Sequence, residues 1–308
     1  MRVVFMGTPD FAVPVLNALV EAGHEVVCAF TQPDKPKGRG KEMQAPPVKE
    51  AALAMQIPVE QPKRVREPEE IEKIKALRPD VIVVVAFGQI LPQEILDIPR
   101  YGCVNVHASL LPKYRGAAPI QWVIIDGEEK TGITIMRMDK GLDTGDMIEK
   151  CEVAIAPDET GESLHDKLAA LGGPLLVETL KKIEDGTAVY TKQEGETCYA
   201  SMLTKTLGQI DWTKPAVQIE RLVRGLNSWP SAYTKIGGKT VKIWKAQVVA
   251  EEVIALPGTI VRVEKDRFVV ATGEGCLAVL EVQAEGKKKM DTAAFLRGNS
   301  VTEGMMLS

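Results

Sequence analysis

Short apolar runs alternate with helically spaced apolar residues through the first part of the chain. Residues 2 to 6, 25 to 30 and 81 to 86 have the character of buried strands, and the last of these runs is apolar throughout. Amphipathic helical spacing occupies residues 11 to 20 and 69 to 77. A continuous apolar run suits a parallel strand that is covered on both faces. The repetition therefore predicts a Rossmann-like, doubly wound α/β domain with a parallel sheet.

The pattern changes near residue 186. A helical run with regularly spaced leucines occupies residues 161 to 186, and residues 186 to 200 are polar and lack any period. Residues 233 to 246 then alternate around two glycines, as in a β-hairpin. Further elements are predicted at residues 217 to 226 (a helix) and at 258 to 263, 267 to 271 and 276 to 283 (strands).

Several short strands with one helix are typical of a small β-barrel of the OB type. We therefore predict an α/β domain over residues 1–189, a linker over 190–206 and a smaller, OB-like C-terminal domain over 207–308. No apolar run approaches the roughly 20 residues of a membrane helix, and residues 1 to 9 contain no hydrophobic signal core. These features predict a cytoplasmic protein with no membrane partner.

Charge is distributed unevenly along the chain. Residues 1 to 206 hold 24 Lys and Arg against 31 Asp and Glu, a net charge of −7, whereas residues 207 to 308 hold 14 against 11, a net charge of +3. A basic module attached to an acidic domain is one way to hold a polyanion locally. The surplus of three charges indicates a nucleic-acid partner only in combination with other features.

The sequence lacks the usual motifs of metal sites and of nicotinamide-dinucleotide binding. The five cysteines are isolated, and no two of the three histidines have the spacing of metal ligands. We therefore expect neither a disulfide framework nor a metal site. Gly7 follows the first predicted strand, but the Gly-x-Gly-x-x-Gly pattern is missing and Pro9 interrupts the turn. The α/β domain is thus not expected to bind a dinucleotide.

Three polar residues on two segments are suited to acyl transfer. Asn105 and His107 are two residues apart, so at a strand end both face one side of the sheet. Asp143 lies in the glycine-flanked stretch from Gly141 to Asp146, where a short carboxylate can orient the imidazole or accept a proton. Neither segment offers a conventional covalent nucleophile beside a base. The predicted chemistry is acyl transfer.

The string Asn-Val-His-Ala-Ser-Leu-Leu-Pro-Lys-Tyr-Arg-Gly at residues 105–116, with Asp143 beyond it, resembles the formyltransferases that use 10-formyltetrahydrofolate. The resemblance implies that Asn105 and His107 stabilise the formyl oxygen, while Asp143 holds His107 charged or relays a proton. It also implies a folate-binding set made of the turn after His107 and, largely through its backbone, the loop after the 81 to 86 strand: Ser109, Leu110, Leu111, Pro112, Phe87, Gln89 and Ile90.

A second segment, residues 31 to 41, combines glycines, prolines and cations directly after a strand. In the branch of the family that formylates the methionyl initiator tRNA, a loop with this Pro-Asp-Lys-Pro and Gly-Arg-Gly pattern enters the acceptor stem. The resemblance therefore implies initiator methionyl-tRNA as the formyl acceptor in translation initiation, with tRNA contacts from Lys37, Arg39 and Lys41, and we expect a monomer. Lysines around Tyr233 and Trp244 are compatible both with tRNA binding and with barrel packing.

Two alternatives share part of this pattern. A formyltransferase for a small amine, such as an amino sugar nucleotide or glycinamide ribonucleotide, would keep Asn105, His107 and Asp143. The Arg39 segment and the mildly basic C-terminal part favour tRNA over these acceptors. A tRNA-binding or folate-sensing protein without turnover would keep the scaffold, but it would not need the three polar residues intact.

Overall fold

The computed structural model describes residues 1–37, 42–251 and 253–308, and the chain forms two compact units. The first unit comprises Met1–Gly116, Thr131–Val153 and His165–Tyr199. The second comprises Ala117–Lys130, Ala154–Leu164 and Ala200–Ser308. Each unit therefore contains segments that are separate in sequence.

The described residues form strands and helices in mixed order. The strands are β1 (Arg2–Gly7), β2 (Glu25–Phe30), β3 (Lys35–Lys37), β4 (Glu42–Gln44), β5 (Val59–Glu60), β6 (Val81–Val85), β7 (Cys103–His107), β8 (Arg115–Gly116), β9 (Lys130–Arg137), β10 (Met147–Ala154), β11 (Tyr199–Ala200), β12 (Ala232–Ile236), β13 (Lys239–Val249), β14 (Ile260–Val263), β15 (Phe268–Ala271), β16 (Cys276–Ala284) and β17 (Met290–Asp291). The α-helices are α1 (Val13–Glu21), α2 (Pro47–Ala54), α3 (Pro68–Leu77), α4 (Gln93–Leu96), α5 (Pro119–Asp126), α6 (Gly161–Glu184), α7 (Ala216–Gly225) and α8 (Thr292–Gly298).

A seven-stranded sheet in the order β10-β9-β7-β6-β1-β2-β5 forms the centre of the first unit. The pairs β1–β2, β1–β6, β2–β5 and β6–β7 are parallel, whereas β9 runs antiparallel to β7. All five residues of β6 are buried, because this strand lies inside the sheet between β1 and β7. The prediction of a parallel, Rossmann-like α/β domain is confirmed.

The strand order places one sheet edge in position to bind ligands. From β1 the chain builds outward through β2 and β5 on one side and through β6 and β7 on the other. In open α/β sheets, ligands bind outside the carboxyl ends of the strands where the order reverses in this way. The loops that follow β1, β6 and β7 therefore border the expected site, and Asn105 and His107 lie in the last of these strands.

Helix α6 approaches the sheet through two glycines. A Cβ atom on Gly173 would lie 2.7 Å from the Cβ of Ala18 in α1, and one on Gly172 would lie 3.1 Å from Val106 in β7. The absence of side chains at these positions lets the helix pack closely against α1 and against the strand that carries Asn105 and His107. Close packing of this kind leaves little room for a shift of the strand.

We expect replacement of Gly132 in β9 with Ala to destabilise the first unit. The added Cβ would lie 1.9 Å from the backbone oxygen of Cys151 and 2.8 Å from the side chain of Leu110, so strand β10 or the Leu110 turn must move. Overpacking of this kind costs about 1–3 kcal/mol, which should lower the melting temperature by several degrees. Calorimetry measures this shift. Gly298→Ala is the control, because nothing lies within 4 Å of a Cβ there; equal melting temperatures for both variants would contradict the prediction.

The second unit contains a predominantly antiparallel sheet in the order β12-β13-β16-β15-β14, with β17 beside β16. The predicted hairpin is present: Gly237 and Gly238 join β12 to β13 with φ of 55° and 78°, as a type I′ turn requires. The core of this unit includes Trp212, Phe268 and Phe295. The C-terminal antiparallel sheet is thus confirmed, and closure into an OB-like barrel remains a prediction.

Candidate active site

Asn105 and His107 lie among the last three residues of strand β7, and their side chains face the same side of the sheet. They are 9% and 5% exposed, so both polar groups are nearly withdrawn from water within an otherwise apolar strand. Asn105 pairs in register with Val84 of β6 and with Met136 of β9. A polar residue between two apolar strands is costly unless its partners are provided.

The tautomer of His107 follows from its contacts. The Nε2 atom lies 2.9 Å from the backbone oxygen of Tyr114, and since a carbonyl can only accept, Nε2 carries the hydrogen. The Nδ1 atom lies 3.8 Å from Oδ2 of Asp143. Nδ1 is therefore the ring nitrogen that faces the carboxylate of Asp143.

Asp143 completes the cluster from a loop of unusual backbone geometry. Its φ is 52°, in the left-handed region. Oδ2 accepts a hydrogen bond from the backbone N–H of Gly116 at 2.8 Å, and Oδ1 lies 3.5 Å from Nδ2 of Asn105. This long contact is the one hydrogen bond made by the Asn105 side chain to the described residues. The amide therefore retains donor capacity next to the imidazole, and the structure brings all three predicted catalytic residues together.

Further residues hold the Asp143 loop in place. Oδ1 of Asp139 accepts hydrogen bonds from the backbone N–H of Gly141 and from Thr144 Oγ1. Nε2 of Gln193 donates to the backbone oxygens of Asp143 and Gly145, both at 2.8 Å. Sequence reasoning missed Gln193, because the polar, aperiodic segment around it has the composition of a linker and contains no signal for this contact.

The Ser109–Pro112 turn is held by hydrogen bonds to strands β9 and β10. Thr134 Oγ1 donates to the backbone oxygen of Ser109 at 2.7 Å and accepts from the N–H of Leu111 at 3.1 Å. Lys150 Nζ donates to the oxygen of Leu111, and burial lowers the pKa of this lysine.

The turn offers only part of its side-chain surface to a ligand. Ser109 is fully buried with its hydroxyl donating to the oxygen of Lys113, and Leu111 is 1% exposed. Leu110 and Pro112 are half-buried. The side-chain surface of this turn that a ligand can reach is therefore mainly that of Leu110 and Pro112.

The loop after β6 presents its backbone. Phe87 is buried in the core, and its oxygen accepts hydrogen bonds from Thr8 Oγ1 and Gln32 Nε2. The side chain of Gln89 accepts a hydrogen bond from the N–H of Val65 and donates one to the oxygen of Pro62. The side chain of Ile90, in contrast, is 80% exposed. The backbone N–H groups of residues 88 to 90 make no hydrogen bond to the residues that the structure describes.

Of the basic segment at residues 31 to 41, the structure describes residues 31 to 37. Lys37 ends β3, which pairs with β4, and Arg39 and Lys41 lie outside the described residues. Within the described part, Asp34 accepts hydrogen bonds from Lys49 Nζ at both carboxylate oxygens, at 2.9 and 2.8 Å. Hydrogen bonds from Lys49 and then Gln61 lower the pKa of Asp34.

Within residues 1–37, 42–251 and 253–308 there is no group of three His, Cys, Asp or Glu side chains that could hold a metal ion. In that same part of the chain no helix combines the length and the apolar character needed to cross a bilayer.

Comparison with known families shows to which family the chain belongs. The family model described as formyl transferase matches residues 1–180, and the model described as formyl transferase, C-terminal domain, matches residues 202–300. The chain belongs to the formyl transferase family. It is 62% identical over 305 residues to the methionyl-tRNA formyltransferase of Agathobacter rectalis, with 99% of this chain and 98% of that protein covered. It is 54% identical over 308 residues to that of Alkaliphilus metalliredigens, covering 100% and 98%.

Solved structures share the fold at low sequence identity. An N-formyltransferase from Helicobacter canadensis in complex with folinic acid and dTDP-3-aminofucose matches with a TM-score of 0.69 and 18% identity, covering 92% of this chain and 99% of that one. HypX from Aquifex aeolicus in complex with tetrahydrofolic acid matches with a TM-score of 0.65 and 18% identity, covering 99% of this chain and 50% of that one.

Proposed function

We propose that this formyl transferase moves the formyl group of 10-formyltetrahydrofolate to the free amino group of the methionyl initiator tRNA, a step of translation initiation. The observation that carries the proposal is the convergence of Asn105, His107 and Asp143 at the end of β7. The full-length similarity to proteins named methionyl-tRNA formyltransferase supports it and selects the acceptor.

The three side chains match the needs of formyl transfer. When an amine attacks a formyl carbon, negative charge develops on the oxygen and the nitrogen must lose a proton. The spare donor of Asn105 is placed to bind the oxygen, and such a donor contributes about 2.7–4 kcal/mol. His107 acts through Nδ1, because Nε2 is committed to Tyr114. The His107–Asp143 pair takes up the proton that the amine loses, and positioned proton transfer adds about 10² to 10⁴ in rate.

Binding of the folate co-substrate fits the loops around the cluster. The free backbone groups of residues 88 to 90 offer hydrogen-bond donors and acceptors for a polar ring. Ile90, Leu110 and Pro112 offer apolar side-chain surface. The folate supplies the activated formyl group, and the protein supplies orientation and charge stabilisation. Neither role requires a metal ion, and we propose no metal site.

Contacts with tRNA are proposed for both units separately. In the first unit we keep the basic segment with Lys37, Arg39 and Lys41. In the second unit Lys242 and Lys289 approach the ring of Trp244, with Nζ 5.9 and 5.5 Å from its centre. Cations beside an aromatic ring are suited to phosphates and bases.

The remaining expectations depend on this acceptor. Charged initiator tRNA is present where translation begins, so we place the protein in the cytoplasm without a membrane partner. We also retain a monomer and the division of roles between a catalytic domain over residues 1–189 and a tRNA-binding domain over residues 207–308, joined by residues 190–206. Light scattering of the purified protein tests the monomer directly.

The deciding experiment is a competition between acceptors. The protein is incubated with 10-formyltetrahydrofolate and, in parallel, charged initiator tRNA, an amino sugar nucleotide or glycinamide ribonucleotide, and formylated product is measured. We expect turnover with the tRNA at least about a hundredfold above the small amines, since discrimination rests on extensive phosphate contacts. Turnover with a small amine alone would replace the proposed acceptor, and binding without any turnover would indicate a folate or tRNA sensor.

Arg39→Ala should impair formylation of the tRNA much more than binding of the folate. A cation in the basic segment acts on the polyanionic acceptor and not on the formyl carbon. If Arg39 contacts a phosphate, the log–log dependence of tRNA affinity on salt should become shallower by about one unit. Kinetics across a salt series, with matched and altered acceptor stems, measure this. The role would be refuted if Arg39→Ala behaved like wild type in rate, stem preference and salt dependence.

A further inference from the structure

The polar segment from Thr191 to Cys198 is attached to the first unit at several points. Thr191 exchanges two backbone hydrogen bonds with Met147, each 2.8 Å long. Thr197 Oγ1 donates to the oxygen of Pro112 at 2.7 Å, and the oxygen of Cys198 accepts from the N–H of Arg115. Most residues of this segment are exposed, so hydrogen bonds and not burial hold it in place.

Gln193 is the half-buried residue at the centre of this segment, and its amide is fully used. Nε2 donates to the oxygens of Asp143 and Gly145, and Oε1 accepts from Nε and Nη2 of Arg115 at 3.0 and 2.8 Å. One side chain therefore joins the Asp143 loop to Arg115.

Arg115 is the residue between the two backbone groups that orient the site. The oxygen of Tyr114 accepts from His107 Nε2, and the N–H of Gly116 donates to Asp143 Oδ2. Through Arg115, Gln193 links the segment that sets the tautomer of His107 to the loop that carries Asp143. The Gln193 amide thus adds a second link between the two sides of the His107–Asp143 pair, beside the direct hydrogen bond from Gly116 to Asp143.

The loop needs such an external support. Asp143 has a positive φ, a backbone conformation that residues other than glycine seldom adopt. It also lies between Gly141 and Gly145, whose backbones are less restricted than those of other residues. The hydrogen bonds of Asp139 go to Gly141 and Thr144, on either side of Asp143, and none of them binds Asp143. Gln193 binds the carbonyl of Asp143 itself.

We propose that Gln193 is a positioning residue for formyl transfer, acting through Asp143 and Arg115 to keep the carboxylate opposite Nδ1 of His107. The inference rests on the proposed function, since it assigns Gln193 to the same reaction. Only an amide serves here, because the position requires a donor toward two carbonyls and an acceptor toward a guanidinium. Glutamate keeps the shape and the acceptor but cannot donate to the carbonyls.

The kinetic test compares Gln193→Ala and Gln193→Glu with a matched control, Gln93→Ala. Gln93 donates a single exposed hydrogen bond to Asp97, and it lines a cavity beside Cys103, at the other end of β7 from His107. We expect both Gln193 variants to lose about tenfold to a hundredfold in kcat, since misplacement by about 1 Å has effects of this size. The KM values for folate and tRNA should stay within about threefold, and Gln93→Ala should match wild type.

A double-mutant cycle separates positioning from a general structural role. If Gln193 acts through Asp143, adding Gln193→Ala to Asp143→Asn should cost less than about threefold more, because the charge to be positioned is already gone. If the loss of kcat in the double variant equals the product of the losses in the two single variants, the inference is overturned. A kcat of Gln193→Glu equal to that of wild type would also overturn it. Wild-type protein runs in the same assay: wild type without turnover would refute the proposed function, whereas active wild type with multiplicative losses refutes only the role of Gln193.

A measurement without substrate provides an independent check. The N–H of Gly116 is bonded to Asp143 Oδ2, so its hydrogen exchange reports whether the carboxylate stays in place. We expect the exchange of Gly116 to accelerate at least about tenfold in Gln193→Ala and to be unchanged in Gln93→Ala. Unchanged exchange in Gln193→Ala would contradict the proposed support of the loop.

Discussion

Replacing Asn105 or His107 with Ala is expected to lower formyl-transfer turnover by at least about a hundredfold. Asn105→Ala removes the amide that we propose binds the oxyanion, a loss of about 2.7–4 kcal/mol of transition-state stabilisation. His107→Ala removes Nδ1, the nitrogen that we propose takes part in the proton transfer. Both losses should appear in kcat, because these interactions strengthen as charge develops.

Matched controls distinguish these losses from damage to the fold. Asn17 is exposed on α1, and His165 packs against Phe11. Asn17→Ala and His165→Ala should keep wild-type turnover. Circular dichroism and thermal melts of all four variants establish that they are folded. Folded Asn105 and His107 variants with near-normal rates would show that the chemistry occurs elsewhere.

Asp143→Asn should be comparably damaging although it changes little in shape. An asparagine can retain one acceptor for the N–H of Gly116, but it has no charge to stabilise a proton on Nδ1 of His107. It also cannot take up the proton that the attacking amine releases. We expect turnover to fall at least about a hundredfold, while the KM for folate changes little, since the charge acts on the transition state.

A comparison with a matched control tests this expectation. Turnover of Asp143→Asn is measured beside that of wild type over a range of pH, and the profile of the variant should lie at least about a hundredfold lower. Asp185→Asn, an exposed change of the same charge at the end of α6, is the control. An Asp143→Asn profile identical in height and shape to that of wild type would exclude Asp143 from the proton path.

Much of the fold was predictable, because periodicity is a local property. The apolar run at residues 81 to 86 predicted β6, which ends one residue earlier, at Val85. Ala86 leaves the strand with a φ of 47°, and no apolar pattern signals such a turn. Hairpin β12–β13 was equally visible, since Gly237 and Gly238 supply the two positive φ angles. Closure of the C-terminal sheet into a barrel depends on distant strand pairs and stays a prediction.

The sequence by itself determined the strand and helix pattern, because hydrophobic periodicity is local. It also determined that two polar residues of the proposed site, Asn105 and His107, share one face of one strand. Only the tertiary structure decided that Asp143, 38 residues beyond Asn105, faces the imidazole, and that Nε2 of His107 is committed to Tyr114. It also decided that Gln193 reaches Arg115 across 78 residues. A hydrogen bond between distant segments depends on the path of the folded chain, and it leaves neither a period nor a composition in the sequence by which it could be predicted.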